Sequence, residues 1–110
     1  METDDRLSIL VNHSDGVAVL TLSGEIDSFN SNCLRESVAA VCELGVPILL
    51  DMSLVTFIDS SGVSALIALC GVANGLSSSV RIARPSAQVR RVVSLTGLDD
   101  MLLDRADPAG

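Results

Sequence analysis

Hydroxyl and carboxylate side chains meet in one short run of the sequence, Asp59-Ser60-Ser61-Gly62. Apolar residues follow this run at helical spacing, so it stands at the start of a predicted helix. Either serine hydroxyl falls where a helix N-cap belongs, and a cap stabilises a helix by about 1 kcal/mol. The same hydroxyls could instead accept a phosphoryl group, which adds about two negative charges.

A second acidic segment, Gly24-Glu25-Ile26-Asp27, follows another predicted strand. Asp27 and Asp59 could both be cap or turn residues that the helix dipole stabilises. A phosphate on a nearby serine would be favoured by the helix N-terminus and opposed by these two carboxylates. The residues therefore favour either plain caps or a phosphorylation switch that leaves the fold intact and abolishes a protein interface.

A nucleophilic enzyme is a weaker interpretation, because a catalytic serine needs a base beside it. The single histidine, His13, lies in a predicted hairpin turn at the opposite end of the sheet from Ser60. Lysine is absent, since all seven basic residues are arginine, and the sequence has no G-x-S-x-G elbow. We therefore expect no enzymatic activity.

Nucleotide and metal sites are also disfavoured. Neither G-x-x-x-x-G-K-[ST] nor G-x-G-x-x-G occurs in the sequence. A few carboxylates with one distant histidine form no recognisable set of metal ligands. We expect neither a cofactor nor a metal ion.

Charge and composition exclude further classes of partner. Fourteen acidic and seven basic residues give a formal charge of -7, which repels nucleic acid and anionic lipid surfaces. The most apolar stretch, residues 63–73, is too short to span a bilayer, and the acidic N-terminus does not resemble a signal peptide. Three widely spaced cysteines, Cys33, Cys42 and Cys70, are expected to be reduced, partly buried thiols. These features indicate a cytoplasmic protein.

Alternating hydrophobic periods predict the elements that position the two acidic segments. Strands are expected at residues 7–11, 17–22, 46–50 and 80–83, with a turn at 12–16 and a loop through Thr56 and Phe57. Helical spacing appears from Leu34 to Leu44 and again from Val63, where Asn74-Gly75 ends the helix. A third helix should begin at Pro85-Ser86 and end at Gly97. Residues 98–103 fit one more turn or a short strand.

The order β-β-α-β-α-β-α predicts an α/β fold with a mixed, mostly parallel sheet of about four strands. Three or four helices should pack on it, and the first strand should be an antiparallel edge. Function in such sheets gathers beyond the carboxyl ends of the parallel strands. We therefore expect Asp27, Asp59, Ser60 and Ser61 to share that edge.

Three ordered motifs resemble the STAS domain family, which includes the anti-sigma factor antagonists. Residues 51–63, DMSLVTFIDSSGV, are similar to the family signature D-L-S-x-V-x-F-[IM]-D-S-S-G-[LV]. The segment Gly24-Glu25-Ile26-Asp27 resembles the family's G-E-[IL]-D, and residues 95–99, LTGLD, a common late motif. The resemblance implies one STAS domain over residues 1–110, with an ordered core at 5–106 and frayed ends.

The resemblance also implies a function, that of a stand-alone bacterial anti-sigma factor antagonist. Such a protein binds an anti-sigma factor that is a serine kinase and so releases the sigma factor. The kinase uses its own ATP to phosphorylate the first serine of the D-S-S-G run, here Ser60, which ends the binding. A PP2C-type phosphatase restores the first state. Binding residues carried over by position are Asp27, Asp59, Ser60, Ser61 and Gly62.

Two departures and one alternative accompany this resemblance. Met52 replaces the commoner leucine, a swap that conserves volume. The segment after Leu103 is shorter than in many relatives, so we expect the last helix to be truncated or missing. The alternative is a STAS adaptor, such as a scaffold subunit, that binds its partner without phosphorylation.

Overall fold

The computed structural model describes residues 6–75 and 78–103, apart from the side chains of Asn74 and Met101. Strands and helices alternate along the described residues after an initial pair of strands. They are β1 (Leu7–Ser14), β2 (Val17–Ile26), α1 (Ser31–Cys42), β3 (Pro47–Ile58), α2 (Ser60–Gly75), β4 (Ser79–Ala83), α3 (Ala87–Thr96) and α4 (Asp99–Leu102).

The four strands form one sheet in the order β1-β2-β3-β4. β1 pairs with β2 antiparallel, whereas β2 with β3 and β3 with β4 are parallel. This arrangement confirms the predicted fold class, including the antiparallel first strand at an edge. β2 and β3 form the central, parallel pair, and their carboxyl ends lie at the same edge of the sheet. The predicted site lies at this edge.

An aliphatic core lies between one face of the sheet and the helices. Ala18, Leu20 and Leu22 alternate along β2 with no exposed surface, as period-2 patterning predicts. Leu34 of α1 and Leu69 of α2 are equally buried in the same cluster. Truncating such a leucine to alanine typically costs about 2–5 kcal/mol. This core is the rigid support beneath the edge of the sheet.

The predicted hairpin turn at residues 12–16 is too long. Asn12, His13 and Ser14 belong to β1, and His13 pairs with Ala18. The turn itself consists of Asp15 and Gly16, whose φ angles of 51° and 78° suit a two-residue hairpin. The polar side chains of residues 12–14 are exposed to solvent at the end of the β1–β2 hairpin. Their polarity therefore wrongly indicated a turn.

β2 and β3 are longer than predicted. Glu25 and Ile26 lie within β2, not after it, and Thr56 and Phe57 lie within β3, where the sequence predicted a loop. Register shifts against β2 insert extra residues into β3, so its buried residues Met52, Val55 and Ile58 come at three-residue spacing. These bulges break the period of two on which strand prediction rests.

Helix ends follow the predicted signals closely. Gly45 follows α1 with a φ of 71°, and Gly97 ends α3 with a φ of 74°. Ser86 caps α3 by accepting a hydrogen bond from the Val89 backbone N–H over 3.2 Å. Residues 98–103 contain both predicted alternatives, because α4 is followed by a parallel bridge from Leu103 to Ile82. The predicted frayed ends lie outside the described residues.

Two of the three cysteines are more deeply buried than the sequence predicts. Cys42 and Cys70 are buried, Cys33 is partly buried as expected, and none of the three forms a disulfide bond. Burial raises the pKa of the Cys42 and Cys70 thiols, which makes them poorer nucleophiles at neutral pH. Separately, no helix among the described residues is both long and apolar enough to cross a bilayer.

Candidate functional site

The two acidic segments meet where β2 and β3 end side by side. Ile26 pairs with Ile58, the last residues of the two strands. The Asp59 backbone N–H then donates to the Ile26 carbonyl over 3.2 Å. Asp27 and Asp59 therefore leave the sheet from adjacent positions. We call residues 24–30 and 56–62 together the carboxyl rim.

Of the caps that the sequence allowed for α2, the structure has Asp59 and not Ser60 or Ser61. Asp59 Oδ1 accepts hydrogen bonds from the backbone N–H groups of Ser61 at 2.9 Å and Gly62 at 3.2 Å. A carboxylate in this position also interacts favourably with the helix dipole. Ser60 is consequently the first helical residue, lies exposed on the surface, and its hydroxyl takes no part in the cap.

Gly62 lets α2 approach the ends of both central strands. A Cβ atom at this position would lie 2.7 Å from Ile58 Cγ1 and 2.8 Å from Ile26 Cγ2. Real Cβ atoms essentially never show contacts below 3.0 Å. The glycine of the D-S-S-G run therefore has a steric role, and the position of Ser60 above the rim depends on it.

Asp27 is held by Arg6, a residue that the sequence analysis did not select. The guanidinium Nη1 and Nη2 donate to Asp27 Oδ2 and Oδ1 over 2.5 Å and 3.3 Å. Arg6 also lies 4.0 Å from Glu25 Oε1. Hydrogen bonding from Arg6 is the main reason that the pKa of Asp27 lies below its usual value. Asp27 is thus an ionised, oriented carboxylate.

Gly24 explains how Arg6 reaches the rim. Its φ of 107° is open to glycine alone in practice, and a Cβ atom would lie 1.9 Å from the Arg6 carbonyl oxygen. Instead, the Glu25 backbone N–H donates to that oxygen over 2.8 Å. This close approach of the two backbones brings the Arg6 side chain within hydrogen-bonding distance of Asp27. Nothing in the local sequence around Arg6 signals the contact.

Asn30 is a second residue that the sequence analysis missed. It is 1% exposed, its Oδ1 accepts from the Asp27 backbone N–H over 3.0 Å, and its Nδ2 donates to the Glu25 carbonyl over 2.9 Å. The amide therefore braces the turn between β2 and α1. Asparagine three residues after an aspartate is a common turn pattern, which is the only sequence signal for this role.

The rim has no visible apparatus for catalysis. His13 lies at the end of β1 next to the hairpin turn, far along the sheet from the pair Leu7 and Gly24. In the described part of the chain, no group of three histidine, cysteine or acidic side chains could hold a metal ion. What the rim presents is the exposed serine hydroxyls of Ser28 and Ser60, oriented carboxylates and two exposed phenylalanines.

Comparison with known proteins assigns the chain to a family. The sequence matches the STAS domain over residues 8–108. The chain therefore belongs to the STAS domain family.

Its similar relatives include anti-sigma factor antagonists. RsfB of Mycobacterium tuberculosis, an anti-sigma-F factor antagonist, is 33% identical over 103 residues, which cover 90% of this chain and 81% of RsfB. A crystal structure of an anti-sigma factor antagonist from Mycobacterium paratuberculosis is 30% identical, with a TM-score of 0.77 over 99% of this chain and 95% of that one.

The fold is shared more widely. The anti-sigma factor antagonist SpoIIAA in its unphosphorylated form has a TM-score of 0.74 at 21% identity, covering 93% of this chain and 91% of that one. The Bacillus cell fate determinant SpoIIAA in its phosphorylated form has a TM-score of 0.67 at 20% identity, covering 93% of this chain and 95% of that one.

Proposed function

We propose that this protein is an anti-sigma factor antagonist whose binding is switched off by phosphorylation of Ser60. The observation that carries the proposal is the exposed hydroxyl of Ser60 at the first position of α2, inside the D-S-S-G run. The similarity to RsfB, an anti-sigma-F factor antagonist, supports the same role. The protein acts in the cytoplasm as a substrate and regulator and not as an enzyme.

The switch needs a partner that supplies the phosphoryl group. In its unphosphorylated form the protein binds an anti-sigma factor that is also a serine kinase, and the sigma factor is released. The kinase transfers the γ-phosphoryl group of its own bound ATP to Ser60 Oγ, leaving ADP, and the hydroxyl proton passes to a base on the kinase. A PP2C-type phosphatase hydrolyses the phosphoserine, so this chain needs no cofactor.

The geometry of the rim explains why a phosphate changes binding and not folding. Ser60 is exposed and makes no contribution to the cap, so its modification removes no stabilising contact. Asp59 Oδ1 already accepts from two first-turn N–H groups, which leaves the new charge of about -2 facing outward. The same fold occurs in the unphosphorylated and phosphorylated forms of SpoIIAA.

The proposed binding site on the rim comprises Asp27, Asp59, Ser60, Ser61 and the buried Gly62. Asp27 and Asp59 supply fixed negative charge on either side of the serine. Gly62 acts indirectly, because the close approach it allows sets the height of Ser60 above the sheet. The domain limits of residues 1–110, with a core at 5–106, remain a prediction, since residues 5 and 104–106 lie outside the described ranges.

Mass spectrometry tests the proposal directly. The purified protein is incubated with ATP and each anti-sigma factor kinase encoded in the same genome, and its phosphopeptides are mapped. We expect phosphate on Ser60 and none in Ser60→Ala. Phosphate on Ser61 in that variant would show that the wrong serine was chosen. A stable complex with no phosphate on the protein would favour the STAS adaptor that binds without modification.

A further inference from the structure

The chain has only two aromatic residues, Phe29 and Phe57, and neither belongs to the core. Phe29 is 85% exposed and Phe57 is 43% exposed. Burying an aromatic ring gains more free energy than burying most other side chains. The core is thus aliphatic, and both rings keep apolar surface that a partner could cover, almost all of it for Phe29 and less than half for Phe57.

Both rings lie on the carboxyl rim that carries Ser60. Phe57 is the next-to-last residue of β3 and pairs with Glu25, while Phe29 lies in the turn that follows β2. The two rim segments also contain the exposed Ser60 hydroxyl. The two aromatic residues thus lie at the same end of the sheet as the proposed phosphorylation site.

Phe29 is exposed but restrained. Its backbone N–H donates to Asp27 Oδ1 over 2.9 Å, and the Arg6 guanidinium carbon lies 5.7 Å from the ring centroid. Arg6 is in turn held by Asp27. A ring oriented in this way before binding loses less conformational entropy when a partner covers it, which favours a strong contact.

Acidic groups surround the rings. Glu25, Asp27 and Asp59 contribute three carboxylates to the rim segments, against the single guanidinium of Arg6. Interface hot spots are enriched in large side chains that enter pockets on the partner, with charged groups around them. A partner surface that is complementary to this rim would have an apolar pocket bordered by lysine or arginine side chains.

We propose that Phe29 and Phe57 are the apolar anchors by which this protein binds its anti-sigma factor, and that they enter pockets bordered by basic residues on that partner. The inference rests on the proposed function. A kinase that phosphorylates Ser60 must bring its active site to Ser60 Oγ, and a specific interface covers about 800 Å² on each partner. A footprint of that size centred on Ser60 extends over the adjoining rim and both rings.

Binding measurements on matched variants test the anchors. The purified anti-sigma factor kinase is titrated calorimetrically with the wild-type protein, Phe29→Ala, Phe57→Ala and Leu44→Ala. Leu44 is a suitable control because it is 59% exposed but lies between α1 and β3, at the opposite end of the sheet. We expect the affinity to fall at least about tenfold in each phenylalanine variant and to stay unchanged in the control.

Two further variants separate loss of the ring from loss of structure. Phe29→Tyr keeps the ring and should bind like the wild type, and thermal unfolding should show that Phe29→Ala remains folded. Phe57→Leu keeps a large apolar side chain at this position of β3 and should fold if Phe57→Ala does not. Its affinity should still fall, because leucine does not replace an aromatic anchor.

The outcomes distinguish this inference from the proposed function. If both alanine variants bind like the wild type while the kinase still phosphorylates Ser60, the anchors are wrong and the switch stands. If the wild-type protein is neither bound nor phosphorylated, both are wrong. Sedimentation gives a further check: a wild-type dimer that Phe29→Ala dissociates would mean that the rings bind a second copy of this chain, which also overturns the inference.

Discussion

The Asp59 backbone N–H donates to the Ile26 carbonyl over 3.2 Å and thereby joins the start of α2 to the end of β2. The two acidic segments of the rim are separated in the sequence, yet this bond and the pairing of Ile26 with Ile58 place them side by side. A single phosphate on Ser60 would therefore act on a surface built from both segments.

Charge at Ser60 should be sufficient to weaken partner binding. We expect the free energy of unfolding of Ser60→Asp to lie within about 0.5 kcal/mol of the wild-type value, because the side chain is exposed. Its affinity for the anti-sigma factor should fall at least about tenfold, because the added carboxylate would face the phosphate groups of the ATP that the kinase holds at this site. Ser14→Asp is the control, since Ser14 is also exposed but lies at the hairpin end of β1, at the opposite end of the sheet. Calorimetry measures both, and equal affinities for Ser60→Asp and the wild type would contradict the switch.

The cap of α2 should depend on Asp59 and not on the serines. We expect Asp59→Ala to lower the free energy of unfolding by about 1 kcal/mol, because two first-turn N–H groups lose their acceptor. Asp59→Asn retains an acceptor oxygen and should recover most of the loss. Urea unfolding measures the series. If Ser61→Ala were more destabilising than Asp59→Ala, the assignment of the cap would be wrong.

Gly62 should tolerate no side chain. We expect Gly62→Ala to destabilise the protein by about 1–3 kcal/mol, because its Cβ atom would overlap side chains of Ile58 and Ile26. Gly71 lies on the same helix with nothing within 4 Å of an added Cβ atom. Gly71→Ala should therefore be neutral or stabilising by up to about 1 kcal/mol, since alanine favours helix. Similar unfolding midpoints for the two variants would contradict the steric role.

Arg6 should determine how acid affects the rim. The pKa of Asp27 lies below its ordinary value of 3.8, chiefly because Arg6 hydrogen-bonds the carboxylate. A carboxyl group with a lowered folded pKa adds stability above its unfolded pKa, and that stability is lost as pH falls through the folded pKa. In Arg6→Gln the pKa of Asp27 should rise, and this part of the pH dependence of unfolding should shrink.

NMR titration of the Asp27 carboxyl group measures the first effect, and urea unfolding at acid and neutral pH measures the second. Arg35→Gln is the control, because Arg35 is exposed on α1. It should leave the pKa of Asp27 unchanged. An unaltered Asp27 titration in Arg6→Gln would show that the guanidinium is not the cause of the shift.

Much of the fold follows from patterns that act over short distances. The order of elements, the ends of α1 and α3 at Gly45 and Gly97, and the cap at Ser86 depend on residues within a turn or two of each other. The D-S-S-G run also identified the segment that carries Ser60. Such features could be predicted because backbone conformation at a glycine or a cap depends mainly on local sterics and hydrogen bonds.

Tertiary structure alone decided the features that depend on which segments meet. The bulges that lengthen β3 arise from its pairing with β2, and no local pattern encodes that register. The contact of Arg6 with Gly24 and Asp27 likewise follows from distant backbone positions. The sequence by itself determined the elements and the chemical groups of the site. The arrangement of these groups is visible only in the tertiary structure, because neither of two distant segments carries a sequence pattern that shows how closely they approach each other.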